Sequence, residues 1–94
     1  MTVTTRKWDA SEYLDSQEMI REYLIACLEE GGTDLLISGL GDVAKAKGMT
    51  EIAAKTGLSR QNLYKALTSK GSPKFDTVAR VLAALGLKLT VDAA

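Results

Sequence analysis

The apolar positions recur at helical spacing along almost the whole chain. Over about 16–29, Ile20, Tyr23, Leu24, Cys27 and Leu28 fall at i, i+3, i+4, i+7 and i+8, one stripe of a helix. Asp15 with Glu18 three residues on is a capping-box signal ahead of it, with Leu14 and Met19 placed as a hydrophobic staple. Asp9 with Glu12, flanked by Trp8 and Tyr13, gives the same signal slightly earlier. Gly31 and Gly32 stop the helix. Thr33 then caps a second helix, about 34–47, carrying Leu36, Ile37, Leu40, Val43 and Ala44. Gly39 and Gly41 weaken it by about 1 kcal/mol each relative to alanine. Close packing against a neighbour explains them, and so does a break in the helix. Gly48 ends it.

The second half reads as shorter pieces. Thr50 can cap a helix over about 51–56, and Ser59 another over about 60–68. Residues 70–74 hold Gly71 and Pro73 and read as a loop. A fifth helix, about 75–85, has Val78, Val81, Leu82 and Leu85 on its apolar face, and Gly86 ends it. The tail Leu87-Lys88-Leu89-Thr90-Val91 alternates apolar and polar, the signature of a strand. A lone strand needs a partner, its own copy in a dimer or the edge of another protein; otherwise it is a frayed tail. The expectation is an all-α fold of five helices with an N-terminal helical extension and a short C-terminal strand. With 94 residues, no internal repeat and no linker, residues 1–94 form a single domain.

Composition narrows the function. With no His and one Cys, zinc sites, His-based acid–base catalysis and an intramolecular disulfide are excluded in practice. Gly39-Leu40-Gly41 lacks the strand before and the Lys-Ser/Thr after that a phosphate loop requires. No enzyme, metal or cofactor is expected. The longest apolar run, Tyr23 to Leu28, is far short of the roughly 20 residues of a membrane span. Arg6 and Lys7 precede no apolar core, so no signal peptide is expected. The expected location is the cytoplasm.

Twelve basic and twelve acidic residues give a net charge of zero. The zero excludes coating of nucleic acid by bulk charge. It also hides a segregation. Residues 1–44 hold three bases against nine acids, and residues 45–94 hold nine bases against three acids, so the halves carry −6 and +6. Such asymmetry points to two different partners.

The positive half contains the most informative spacing. Two short helices that cross steeply around a tight turn need a small residue at the crossing, and Ala53 supplies it. The turn needs a residue at ease with positive φ, and Gly57 supplies it four residues later. Ile52, Leu58 and Leu63 close the unit, and Ser59 caps the second helix. With Leu63, Ala66 and Leu67 inward, Arg60, Gln61, Tyr64, Lys65 and Thr68 face outward. Arginine pairs bidentately with guanine, glutamine with adenine, and lysine reaches guanine or phosphate.

Residues Met49 to Leu67, MTEIAAKTGLSRQNLYKAL, resemble the Cro and phage-repressor type of helix-turn-helix. With Gly71-Ser72-Pro73-Lys74-Phe75-Asp76-Thr77-Val78, Leu85 to Leu89 and the upstream Tyr13-Leu14 and Tyr23-Leu24, about residues 8–91 look like the addiction-module antidote family. These antitoxins pair with RelE/ParE-type toxins, and the likeness is to the HigA group. Thr56, more polar than the pattern asks just before the turn glycine, is the one departure. The resemblance implies a chain that neutralises its toxin and represses its own operon by binding operator DNA as a homodimer. A stand-alone helix-turn-helix regulator without a toxin is the alternative.

Carried over, the base-reading residues are Arg60, Gln61 and Lys65, with Tyr64 beside them, and Ser59, Asn62, Lys70 and Lys74 are phosphate contacts. Thr50 completes the DNA-binding set. The family's toxins are expected to be basic, so residues 1–47 are assigned to the toxin, through Glu18, Glu22, Glu29 and Glu30 with Trp8 and Tyr13 as aromatic anchors. Tyr23 and Cys27 are expected in the core. Residues 48–94 are assigned to DNA and dimerisation, the latter through Leu85, Leu87, Leu89 and Val91.

Overall fold

The structure is a computed structural model that describes residues 16–68 and 70–93. Among them are four helices: α1 (Gln17–Lys47), α2 (Met49–Thr56), α3 (Arg60–Ala66) and α4 (Phe75–Ala84). No strand occurs among the described residues. The all-helical class holds, but the count of five helices and the C-terminal strand do not. The stretches expected as separate helices over 16–29 and 34–47 form one element, interrupted only where Gly32 leaves helical geometry (φ 69°, ψ −157°). The reversal at this one glycine leaves two helical arms with no loop between them, at the place where Gly31 and Gly32 are expected to stop the first helix. The tail lacks strand pairing because a single chain offers it no second strand.

The caps also shift. Ser16, not Asp15, caps α1, its hydroxyl accepting from the Met19 N–H at 3.1 Å. The Asp9–Glu12 signal lies outside the described residues. Gly48, not Thr50, stands at the N-cap of α2, with φ 109°. Its N–H donates to the carbonyls of Ala44 and Lys45, closing α1 while its own carbonyl accepts from Ile52. Ser59 caps α3 as expected, accepting from the Asn62 N–H at 3.0 Å. α3 ends at Ala66 because Leu67 turns to ψ 56°.

One buried cluster takes side chains from both charged halves: Ile20, Leu24, Leu40, Val43 and Ala44 from α1, and Met49, Ile52, Leu63, Leu67, Val81, Leu82 and Leu85 from the rest. α2 lies at its centre, packed on α1, α3 and α4. Full burial of Leu40, Leu63 or Val81 contributes about 1.5–3 kcal/mol each. The two arms of α1 close on each other where Gly39 meets Cys27; a Cβ there would sit 2.8 Å from the Sγ. Cys27 and Tyr23 are core residues as expected, Cys27 buried and Tyr23 half-buried. Burial pushes the Cys27 thiol up. Burial likewise pushes up the Tyr23 phenol, whose OH donates to Asp42 at 3.3 Å. Leu28 departs from the expected stripe and is exposed. Among the described residues no helix is long and apolar enough to cross a membrane.

Candidate nucleic-acid interface

α2 and α3 are joined by a turn whose geometry follows from three residues. Gly57 takes the left-handed conformation (φ 76°, ψ 13°) that its place in the turn demands. Thr56 explains its own polarity. Its buried hydroxyl donates to the Ile52 carbonyl at 2.8 Å and accepts from the Leu58 N–H at 3.3 Å. From α4, Arg80 donates to the Thr56 carbonyl at 3.1 Å, tying the turn to the body of the fold. Thr56→Val keeps the shape but leaves the Leu58 N–H without its acceptor. We expect a loss of about 1–3 kcal/mol in denaturant unfolding, where an ordinary surface change would give under about 0.5.

α3 is anchored by Leu63, which is fully buried, and by Leu67 just beyond its end. That anchoring sets the other faces outward. Arg60, Gln61, Asn62, Tyr64 and Lys65 are all exposed. Asn62 and Lys65 share a cleft of about 440 Å³ with Ser72 and Lys74. The structure thus brings Lys74, distant in sequence, to the edge of the α3 face. Lys70 is exposed in the same connection, and Thr50 is exposed in the first turn of α2. Ser59 contributes through its cap, holding the first turn of α3 in place.

The cations of the positive half divide into two groups. Arg80 pairs with Asp76 at 2.9 Å and Lys55 with Glu51 at 3.0 Å. Among the described residues Arg60, Lys65, Lys70 and Lys74 form no ion pair, and neither do Lys45, Lys47 and Lys88. Lys45 lies beside the α3 face, a placement that the spacing did not reveal. From the last turn of α1 its ammonium lies 5.8 Å from the centre of the Tyr64 ring, within cation–π range. Its only sequence signal is that it opens the positive half.

On the opposite half, Glu18, Glu22, Glu29 and Glu30 are exposed on the first arm of α1, Glu22 paired with its neighbour Arg21. Trp8 and Tyr13 lie outside the described residues. Of the set assigned to dimerisation, Leu85 is only 6% exposed and belongs to the core. Its position at the end of α4 turns it inward, so it cannot also face a second chain. Leu87 is half-buried, while Leu89 and Val91 are exposed.

The model of a family described as "probable addiction module antidote protein" matches residues 4–93. A protein of Haemophilus influenzae described as "uncharacterized protein" is 44% identical over 92 residues, covering 98% of this chain and 95% of its own. No solved structure matches the chain.

Proposed function

The chain belongs to the family of probable addiction module antidote proteins, and from that premise we propose that it neutralises a RelE/ParE-type toxin and represses its own operon by binding operator DNA as a homodimer. The observation that carries the DNA part is the face of α3. Gln61 and Lys65 stand exposed on the side of a short helix opposite the fully buried Leu63, and Arg60 is exposed in its first turn. A helix held this way enters a major groove without unfolding, as in a helix-turn-helix protein. Arg60 and Gln61 offer bidentate pairing to guanine and adenine. Lys70, Lys74, Asn62, Thr50 and the Ser59 hydroxyl would meet phosphates and set the register, without reading bases themselves. One helix of 7 residues reads few bases, so specificity needs a second copy at a half-site about 34 Å away.

The toxin part rests on family membership together with the acidic first arm of α1. A basic toxin meets there the surface that complements it, and such complementarity acts mainly on encounter rate and specificity. The triple change Glu18→Lys, Glu22→Lys and Glu29→Lys should slow toxin association about tenfold or more at low salt. Operator affinity should stay within about threefold, and surface plasmon resonance reads both. Unchanged toxin association would remove the first arm from the interface. Co-expression with the product of the adjacent gene, then purification and mass measurement, tests the reading as a whole. A stoichiometric complex with a small basic protein is expected; isolation of this chain alone would favour the stand-alone regulator.

A further inference from the structure

After α4 the chain turns at Gly86 (φ 82°) and runs to residue 93 without regular structure. The Leu87 N–H donates back to the Leu82 carbonyl at 2.9 Å. Beyond it, among the described residues, no N–H from Lys88 to Asp92 has a hydrogen-bond partner. This open edge borders a largely apolar groove of about 490 Å³, lined by Ile25, Leu28, Leu36, Leu87 and Leu89 and also by Arg21, Lys88 and Thr90. Leu89 is 46% exposed and Val91 is 99% exposed. An alternating segment with unpaired backbone beside an apolar groove is a template for another strand.

The order of residues says which strand fits. When two tails are laid antiparallel with Thr90 opposite Thr90, Leu89 falls opposite Val91 and Lys88 opposite Asp92, each pair occurring twice. Extended in this pairing, the odd positions form an apolar face and the even positions a face that pairs opposite charges. Centring the pairing on Leu89 or Val91 keeps the faces but separates Lys88 from Asp92. Only the Thr90-centred register satisfies both faces.

We propose that a second copy of this chain covers the groove, the two tails pairing antiparallel about Thr90. The second copy's Val91 packs beside Leu89 over Ile25 and Leu28. The proposal rests on the dimeric reading above and deepens it by naming the seam and its register.

Two measurements on the full chain without DNA test it. In a Cys27→Ala background, Thr90→Cys places two sulfurs on the two-fold axis. Cα atoms across an antiparallel pair lie about 4.5–5.5 Å apart, within disulfide reach. Mild oxidation should convert most of this variant to a covalent dimer, while Thr68→Cys in the same background should remain largely uncrosslinked. Sedimentation equilibrium should show a wild-type dimer. Lys88→Asp should weaken it roughly tenfold, and Lys88→Asp with Asp92→Lys should restore it to within about threefold. A wild-type dimer whose Thr90→Cys variant does not crosslink, or whose Lys88→Asp variant keeps full dimer affinity, overturns the proposal and leaves the dimeric operator reading standing. A wild-type chain that is monomeric at about 100 μM, well above ordinary homodimer dissociation constants, overturns both.

Discussion

Gly41→Ala is expected to lower the melting temperature by roughly 10–20 °C. In an ordinary helix interior the same change stabilises by about 1 kcal/mol. Here the sign reverses. A Cβ at Gly41 would run into the backbone carbonyl oxygen of Leu67 and lie 3.3 Å from the Leu67 Cβ. Neither atom can swing aside as a side-chain end would. The second arm of α1 and the end of α3 must separate, and Leu40, Val43, Leu63 and Leu67 lose their packing together. Overpacking of this kind costs about 1–3 kcal/mol, and each kcal/mol is worth about 4–8 °C in a domain of this size. Gly39→Ala provides the comparison. Its Cβ would meet the Cys27 Sγ at 2.8 Å, a side-chain atom. Adding Cys27→Ala should rescue Gly39→Ala and leave Gly41→Ala unrescued. A melting temperature for Gly41→Ala at or above wild type would show that α1 does not approach Leu67 this closely.

The second large effect is on DNA. Arg60→Ala with Gln61→Ala should reduce affinity for operator DNA at least about a hundredfold, since each bidentate base contact is worth about 1–3 kcal/mol and a dimer loses every one twice. The fold should be untouched. Both side chains are exposed, and neither makes a hydrogen bond or ion pair among the described residues. Exposed substitutions of this type stay within about 0.5 kcal/mol. Lys70→Ala and Lys74→Ala should behave differently, weakening operator and random DNA alike and reducing the salt slope by about one each. Fluorescence anisotropy on the two DNAs, beside a melting curve, separates these outcomes. Operator affinity unchanged in the folded double variant would remove α3 from the reading role.

The sequence carries much of this because local rules were enough for it. Helical periodicity locates Ile20, Leu24, Leu40, Val43, Val81 and Leu82, and the closure of two crossing helices locates Ile52 and Leu63, all buried. Turn chemistry located Gly57, and capping chemistry located Ser59. What stayed hidden depends on contacts between segments far apart in the chain. Glycine breaks or crowds a helix with equal ease, and only the fold shows that Gly32 is the break while Gly39 and Gly41 are points of close approach. Thr56 looked like a departure because its acceptor and donor partners come from the shape of the turn. Leu85 looked like a seam residue because an apolar residue at a helix end does not declare which side it faces. Lys45 could not be paired with Tyr64, 19 positions further on, by any periodic rule.

We propose that the net charge of zero conceals two binding surfaces of opposite sign, the positive one centred on α3 and specific for DNA. The most direct test is the affinity of the purified chain for DNA carrying its own promoter, against shuffled DNA of the same length, from about 50 to 200 mM salt. Binding to the promoter should be tighter by about a thousandfold or more, with affinity for both DNAs falling linearly on logarithmic axes as salt rises. Equal affinity for the two DNAs, or no binding to either at the lowest salt, would contradict it.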